Sequence, residues 1–311
     1  MNAKMEIIRA SDMGFCFGVR RAVEMTEKAA AELGQLSSLG SIVHNQQVVE
    51  RLRRLGINVV GTPDEADGRP IAITSHGVPP QVLREIERLG LPIIDTTCPM
   101  VTRSQQWAKR LSGDGFTVII FGDPDHREVR GVLGWAAGKG MAFPDEASLD
   151  RAIDKLPSRL AVLSQTTQTE SRFASFVGHL LQHRLEQIRE LRVINTLCSA
   201  TTSQQAAAQE LARQVDLVIV VGGRESANTR HLAEVARAEG VETHQVEMAE
   251  QIEGEWLRGR ARVGVTAGAS TPDEAAWPSG LPSPPFSSVS GLTSARRFAA
   301  VRRSASMADG D

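Results

Sequence analysis

LPIIDTTC, residues 91–98, followed by PMVTRSQQWAKRL, residues 99–111, is the stretch on which the fold reading turns. An apolar run gives way to a short polar turn, a cysteine closes the turn, and a helix-like segment opens on Pro99. Proline is tolerated in a first helical turn because its missing N–H would have no partner there. The same order recurs around both other cysteines. MEIIRASDMGFC (5–16) precedes FGVRRAVEMTEKAAAEL (17–33), in which Val19, Ala22, Val23 and the later alanines recur at helical spacing. LRVINTLC (191–198) precedes SATTSQQAAAQELARQ (199–214).

This context puts each thiol at the carboxyl end of a strand and the amino end of a helix. Unpaired backbone N–H groups and the helix dipole favour anions there, which predicts a lowered thiol pKa and a thiolate ready to bind metal. A lone cysteine is usually a small buried hydrophobe. Cys16, Cys98 and Cys198 in one repeated context argue for a shared role.

Further apolar runs also end in polar turns: SIVHN (41–45), IAITSHGV (71–78), TVIIFGDPDHREV (117–129), RLAVLSQTTQT (159–169), VDLVIVVGGRESANT (215–229) and ARVGVTAGASTPDE (261–274). Their β-branched content, with helices between them, predicts parallel strands buried on both faces. Ligands of such sheets bind beyond the carboxyl ends of the strands. The expected fold is α/β, with three similar small parallel-sheet domains around one central cavity. The domains are placed at residues 1–98, 99–197 and 198–275, carrying Cys16, Cys98 and Cys198 in turn. Residues 276–311, rich in Pro, Ser, Gly and Arg, are expected to form a poorly ordered tail.

The chain has 311 residues and a formal net charge of −2, with neither sign in a long block. That speaks against a nucleic-acid or membrane-surface partner and favours a small, specific ligand. The amino terminus lacks a signal-peptide core and no stretch is apolar for long enough to span a bilayer, so a cytoplasmic protein is expected. Three cysteines far apart do not form a disulfide framework. A structural zinc would ordinarily need a fourth ligand, and there is no CxxC pair. A 4Fe-4S cluster on three cysteines leaves one iron open for chemistry.

Of the seven histidines, His44, His76 and His126 fall in strand-end turns, where together they look like donors aimed at an anion. His179, His183, His231 and His244 are expected at the surface. Ser226, Asn228 and Ser270 add short donors beside Gly222, Gly223 and Gly268. Without a P-loop or a GxGxxG, these neutral donors suit a compact diphosphate better than a nucleotide. Glu128, two residues after His126, is the carboxylate placed to carry a proton if burial raises its pKa. Gln165, Thr166 and Thr167 are placed to relay that proton or to hold a substrate hydroxyl.

GFCFGVRRAV, IVHN, SHGV, DTTCP, HREVRG, SQTT, CSATTSQQ, SAN and GAS, in this order over residues 5 to 274, resemble the 4-hydroxy-3-methylbut-2-enyl diphosphate reductases. The resemblance implies a trefoil of three α/β domains and one 4Fe-4S cluster per chain on Cys16, Cys98 and Cys198. It implies diphosphate binding by His44, His76, Ser226, Asn228 and Ser270, with His126 nearby. Glu128 matches the essential acid of these enzymes, and Thr166 and Gln165 its partners at the substrate hydroxyl. The implied activity is reductive dehydroxylation to isopentenyl and dimethylallyl diphosphate, the last step of the non-mevalonate isoprenoid pathway, with ferredoxin or flavodoxin as electron donor.

The sequence departs from that pattern in three places. Asp123 stands where these enzymes usually carry a second histidine, Ala227 replaces a common serine, and the segment after GAS resembles neither the expected helix nor the closing strands. Two other readings stay open at this level. One is a cluster-dependent dehydratase resembling quinolinate synthase, which would act on carboxylates. The other is a degenerate paralogue that keeps the cluster as a redox sensor.

Overall fold

The computed structural model describes residues 5–276, so the expected tail lies outside the described residues beyond its first position. The chain begins with β1 (Glu6–Arg9), α1 (Phe17–Leu33), β2 (Leu36–Leu39), α2 (Gln46–Arg54), β3 (Ile57–Val60), β4 (Ile71–Ile73), α3 (Pro80–Arg88) and β5 (Ile93–Asp95). It continues with α4 (Pro99–Gly113), β6 (Thr117–Phe121), α5 (Arg127–Trp135), β7 (Gly140–Phe143), α6 (Glu146–Asp150), β8 (Arg159–Ser164), α7 (Glu170–Arg184) and β9 (Glu190–Val193). The last part holds α8 (Ser199–Ala212), β10 (Leu217–Val221), α9 (Ala227–Ala238), β11 (Glu242–Val246), α10 (Gly254–Leu257), β12 (Arg262–Ala267) and α11 (Asp273–Ala276).

The strands form three four-stranded sheets, ordered β3-β2-β4-β5, β7-β6-β8-β9 and β11-β10-β12-β1. Every pairing is parallel, which confirms the expected α/β class. In each sheet the chain enters at an inner strand, crosses outward to one edge and returns to the other side of that strand; in the first two sheets it then finishes at the far edge. The reversal leaves a crevice between the first and third strands, β2/β4, β6/β8 and β10/β12, and that is where open parallel sheets bind ligands.

The unit boundaries need one correction. β1 was expected in the first domain, but it pairs with β12, Ile7 opposite Val263, and so closes the third sheet as its fourth strand. The first and second sheets receive their fourth strands, β5 and β9, from the chain that has just built them, whereas the third receives its own from the other end of the sequence. Each helix that follows a cysteine then packs on the next sheet. α1 lies against β2 and β5, α4 against β6 and β8, and α8 against β10 and β12. Each cysteine therefore stands where the chain passes from one sheet to another.

Local chemistry explains most elements. TVIIF and LVIVV are buried β-branched and aromatic runs, as strands covered on both faces require. Phe116, Phe121 and Phe176 are among the largest fully buried side chains, each contributing about 1.5–3 kcal/mol through burial. SIVHN was expected to be a strand; the strand is LSSL, just before it. Ser37 and Ser38 are fully buried within β2, so their polarity hides the strand from periodicity. Gly40, at a φ of 86°, takes a left-handed turn that side chains resist and directs Ile42–Asn45 toward the crevice. Among the described residues no helix is long and apolar enough to cross a membrane.

Candidate functional site

Cys16, Cys98 and Cys198 are the N-cap residues of α1, α4 and α8. Their backbone amides donate to the loop after the third strand of the sheet each one leaves: Cys16 to the Ala269 carbonyl at 3.2 Å, Cys98 to Ser75 at 3.0 Å, and Cys198 to Thr166 at 2.9 Å. Those loops also carry Ser270, His76 and Thr166. A cysteine and a candidate substrate residue thus share one hydrogen-bonded turn in every unit.

The sulfurs converge. A Cβ on Gly18 would stand 2.5 Å from Cys98 Sγ and 4.0 Å from Cys16 Sγ, so only glycine lets α1 approach its neighbour's thiol this closely. The charges of Cys98 and Cys198 both act on Cys16, and that of Cys198 acts on Cys98. The pKa values of Cys16 and Cys98 run against the expectation of a lowered value. Val19 N–H points at Cys16 Sγ from 3.5 Å, yet burial, reinforced by the other two thiols, pushes Cys16 up to about 11. Cys98 is raised for the same leading reason. The helix start does favour the thiolate, but removal from water outweighs it. A metal charge inside the triangle reverses this balance. All three cysteines are half-buried free thiols and the chain has no fourth. The donor set therefore fits an iron-sulfur cluster with one corner left free of cysteine.

The loops after β2 and β4 bring His44 and His76 together, with ring centroids 4.5 Å apart. His126, from the loop after β6, lies 5.6 Å from His44 and 5.4 Å from His76. One ring nitrogen from each histidine falls within 4.8 Å of the others. Burial depresses all three pKa values, that of His76 well below the usual range and that of His126 to about 4, and the Arg127 guanidinium adds to the effect at each. The triad is neutral near pH 7. His126 caps α5 by accepting the Glu128 amide on Nδ1 at 3.2 Å, which leaves its proton on Nε2 as a donor. His44 Nε2 is buried and has no partner.

Glu128 is 2 % exposed. Thr166 holds both its oxygens, the amide donating to Oε1 at 2.7 Å and the hydroxyl to Oε2 at 2.7 Å. Burial raises the Glu128 pKa against the pull of these two bonds. Its charge is felt at the Cys98 thiol, so acid and sulfur triangle share one interior. Gln165 accepts the Asp123 amide at 3.1 Å, while its Nε2 is buried without a partner. Asp123 binds back to the Asp125 amide at 2.9 Å and its charge favours protonated His126.

In the third unit, Ser226 caps α9, accepting the Thr229 amide at 3.3 Å with its hydroxyl proton left to donate. Asn228 gives an amide hydrogen to Gln204 at 3.0 Å, and its Oδ1 is buried and unpaired. Ser270 lies half-buried in the loop after β12. The crevice loops of all three sheets thus carry the residues expected from the sequence.

His231 is misplaced by sequence reasoning. Expected at the surface, it is 6 % exposed and bonds the Thr167 carbonyl at 2.6 Å, pinning the loop that carries Thr166. Its position on the inner face of α9 was the available signal. Arg127, Arg230 and Gln204 were not singled out. Arg127 stands between His126 and Glu128, and the charges of both arginines reach the histidine triad. His179 pairs with Asp150 and His244 stacks on Trp256, away from the site.

Comparison with known proteins gives one consistent result. The family profile described as LytB protein matches residues 7–276. A 4-hydroxy-3-methylbut-2-enyl diphosphate reductase of Dehalococcoides mccartyi (strain CBDB1) is 48% identical over 267 residues, covering 86% of this chain and 93% of the relative. One of the same name from Geobacter metallireducens is 42% identical over 268 residues, with the same coverage. A solved (E)-4-hydroxy-3-methyl-but-2-enyl diphosphate reductase, described as the terminal enzyme of the non-mevalonate pathway, is 36% identical at a TM-score of 0.62 and covers 88% of this chain and 96% of its own. The E-1-hydroxy-2-methyl-but-2-enyl-4-diphosphate reductase from Plasmodium falciparum, 23% identical, shares the fold at a TM-score of 0.82 over 97% of this chain and 99% of its own. The extent of the profile match and the identity to these relatives place the chain in the LytB protein family.

Proposed function

We propose that this chain is an iron-sulfur reductase that converts 4-hydroxy-3-methylbut-2-enyl diphosphate to isopentenyl and dimethylallyl diphosphate. The observation that carries the reading is the shared interior of the sulfur triangle, the buried acid Glu128 and a neutral donor cluster on the crevice loops. The names of its relatives supply the substrate. The overall change takes up two electrons and two protons, breaks the C–O bond of the terminal hydroxyl, forms a C–H bond and releases water.

Cys16, Cys98 and Cys198 would hold a 4Fe-4S cluster, which supplies the electrons one at a time and offers an iron free of cysteine as a Lewis acid. His44, His76, His126, Ser226, Asn228 and Ser270 would bind the diphosphate as hydrogen-bond donors, His126 through Nε2–H. Binding there fixes the reacting carbon without touching it. Glu128, whose pKa is raised by burial, would deliver a proton to the departing hydroxyl. Thr166, bonded to both carboxylate oxygens, orients the acid and accommodates the anion left behind, and Gln165 offers its free Nε2 to the substrate oxygen. A ferredoxin or flavodoxin is the proposed electron donor.

The test is anaerobic purification with iron and sulfide analysis, followed by reductase assay with a reduced viologen dye. Brown, iron-loaded protein that turns over the hydroxylated diphosphate is expected. Colourless protein, or loaded protein that neither turns over nor binds a diphosphate, would overturn the reading.

A further inference from the structure

The three cysteine turns are tied to one another by side chains from the helices they cap. Arg21 of α1 donates to the Thr97 carbonyl, beside Cys98, at 3.2 Å. Arg103 of α4 donates to the Asn195 carbonyl, shortly before Cys198, at 3.3 Å. Gln204 of α8 donates to the Gly14 carbonyl, shortly before Cys16, at 2.8 Å. Each helix started at one cysteine therefore grips the turn that carries the next, and the three links close a ring. The Arg103 link is exposed and the Arg21 link half-buried. Gln204 is neutral and only 2 % exposed.

Gln204 also has a second partner. Its Oε1 accepts the Asn228 amide hydrogen at 3.0 Å, and Asn228 is 4 % exposed with an unpaired Oδ1. An asparagine amide can present either a donor or an acceptor to a ligand, and the hydrogen-bond network decides which. With Gln204 Oε1 as acceptor, Asn228 Nδ2 is held on this side and keeps its second hydrogen for an anion. The Cys16 turn is bound to the same unit at two more points, Gly14 N–H to the Ala267 carbonyl at 3.1 Å and Cys16 N–H to Ala269 at 3.2 Å. Of these three links, that of Gln204 runs through a side chain to Asn228, one of the residues proposed to hold the diphosphate.

We infer that Gln204 is a positioning residue that couples anion occupancy at Asn228 to the Cys16 corner of the sulfur triangle. Gln204 sets which face of the Asn228 amide meets the anion. When the anion draws on Asn228, the pull passes through the Gln204 amide to the Gly14 carbonyl and so to the turn of Cys16. The inference rests on the diphosphate and cluster assignments above.

The experiment uses anaerobically loaded holoenzyme with inorganic diphosphate as the probe. Affinity is read by calorimetry and the reduced cluster by electron paramagnetic resonance. In the unsubstituted protein, diphosphate should bind and shift the cluster signal. Gln204→Leu, which loses both bonds, should weaken diphosphate binding about tenfold and lose the spectral shift while retaining iron. Gln204→Glu can reproduce donor and acceptor when its carboxyl is protonated. It should restore the shift at mildly acidic pH and lose it at alkaline pH, where the unsubstituted protein keeps it. An unchanged shift or unchanged affinity in Gln204→Leu overturns the inference, as does a loaded Gln204→Glu without the shift at acidic pH. If the unsubstituted protein holds no cluster or binds no diphosphate, the functional reading fails, and this inference falls with it.

Discussion

Glu128 and Thr166 form a two-point contact, amide to one carboxylate oxygen and hydroxyl to the other, each at 2.7 Å. Both bonds favour the charged carboxylate, and burial opposes them strongly enough to raise the pKa. The acid is thus kept protonated above the ordinary carboxylate range and is also prepared to become an anion.

Replacing Glu128 with Gln keeps shape and removes the proton. Turnover should fall by roughly 10²–10⁴, while iron content and the cluster spectrum stay unchanged. Near-normal turnover removes Glu128 from the mechanism. Thr166→Val deletes one of the bonds that favour the anion, so the Glu128 pKa should rise further. The alkaline limb of the pH-rate profile, where the acid loses its proton, should move to higher pH.

Gly18 gives Cys98 Sγ its room, with a Cβ there 2.5 Å away. Gly18→Ala should therefore lower iron incorporation well below that of the unsubstituted protein, measured by iron and sulfide content per chain. Gly178 lies in α7 with nothing within 4 Å of an added Cβ. Gly178→Ala should leave iron content alone and stabilise the fold by about 0.5–1 kcal/mol through helix propensity. Equal iron loss in both variants would remove the special role of Gly18.

The depressed histidine pKa values have a sign that can be measured. An anion beside the triad favours the charged imidazole, so diphosphate binding near neutral pH should take up protons and tighten as pH falls. Calorimetry in two buffers of different ionisation enthalpy reports the uptake, and His126→Asn should reduce it. In the free protein, His126 titrates near 4 against an ordinary 6.5. Between these values the unfolded chain binds the extra proton, so stability drops on acidification through this window. His126→Asn should flatten that drop, and chemical denaturation across the range reads it.

Arg127 supplies positive charge to all three histidines and reaches the Leu39 carbonyl at 3.5 Å. Arg127→Met should raise the histidine pKa values, and His126 chemical shifts followed against pH would show it. The same change should slow diphosphate association most at low salt, because a charge at the mouth of a site steers anions over distances that salt screens. A rate of association independent of salt in both proteins would argue against that role.

The strand, cysteine and helix pattern was legible because it is local. β-branched runs, Pro99 at a helix start and polar turns after strands each act over a few residues, and together they pointed to the α/β class and to candidate residues that the structure places around the crevices. Elements whose local chemistry is ambiguous were missed: the serine-bearing β2, and the short strands β3 and β7, which flank their sheets.

What the order of amino acids determined by itself is the list of reactive groups and the turns that hold them. Tertiary structure alone decided that β1 completes the third sheet, since a pairing of residue 6 with residue 262 leaves no trace in periodicity. It also decided that His231 lies inside and that the thiols of Cys16 and Cys98 are raised rather than lowered. Desolvation depends on what the rest of the chain packs around a group, and no neighbouring stretch of sequence encodes that.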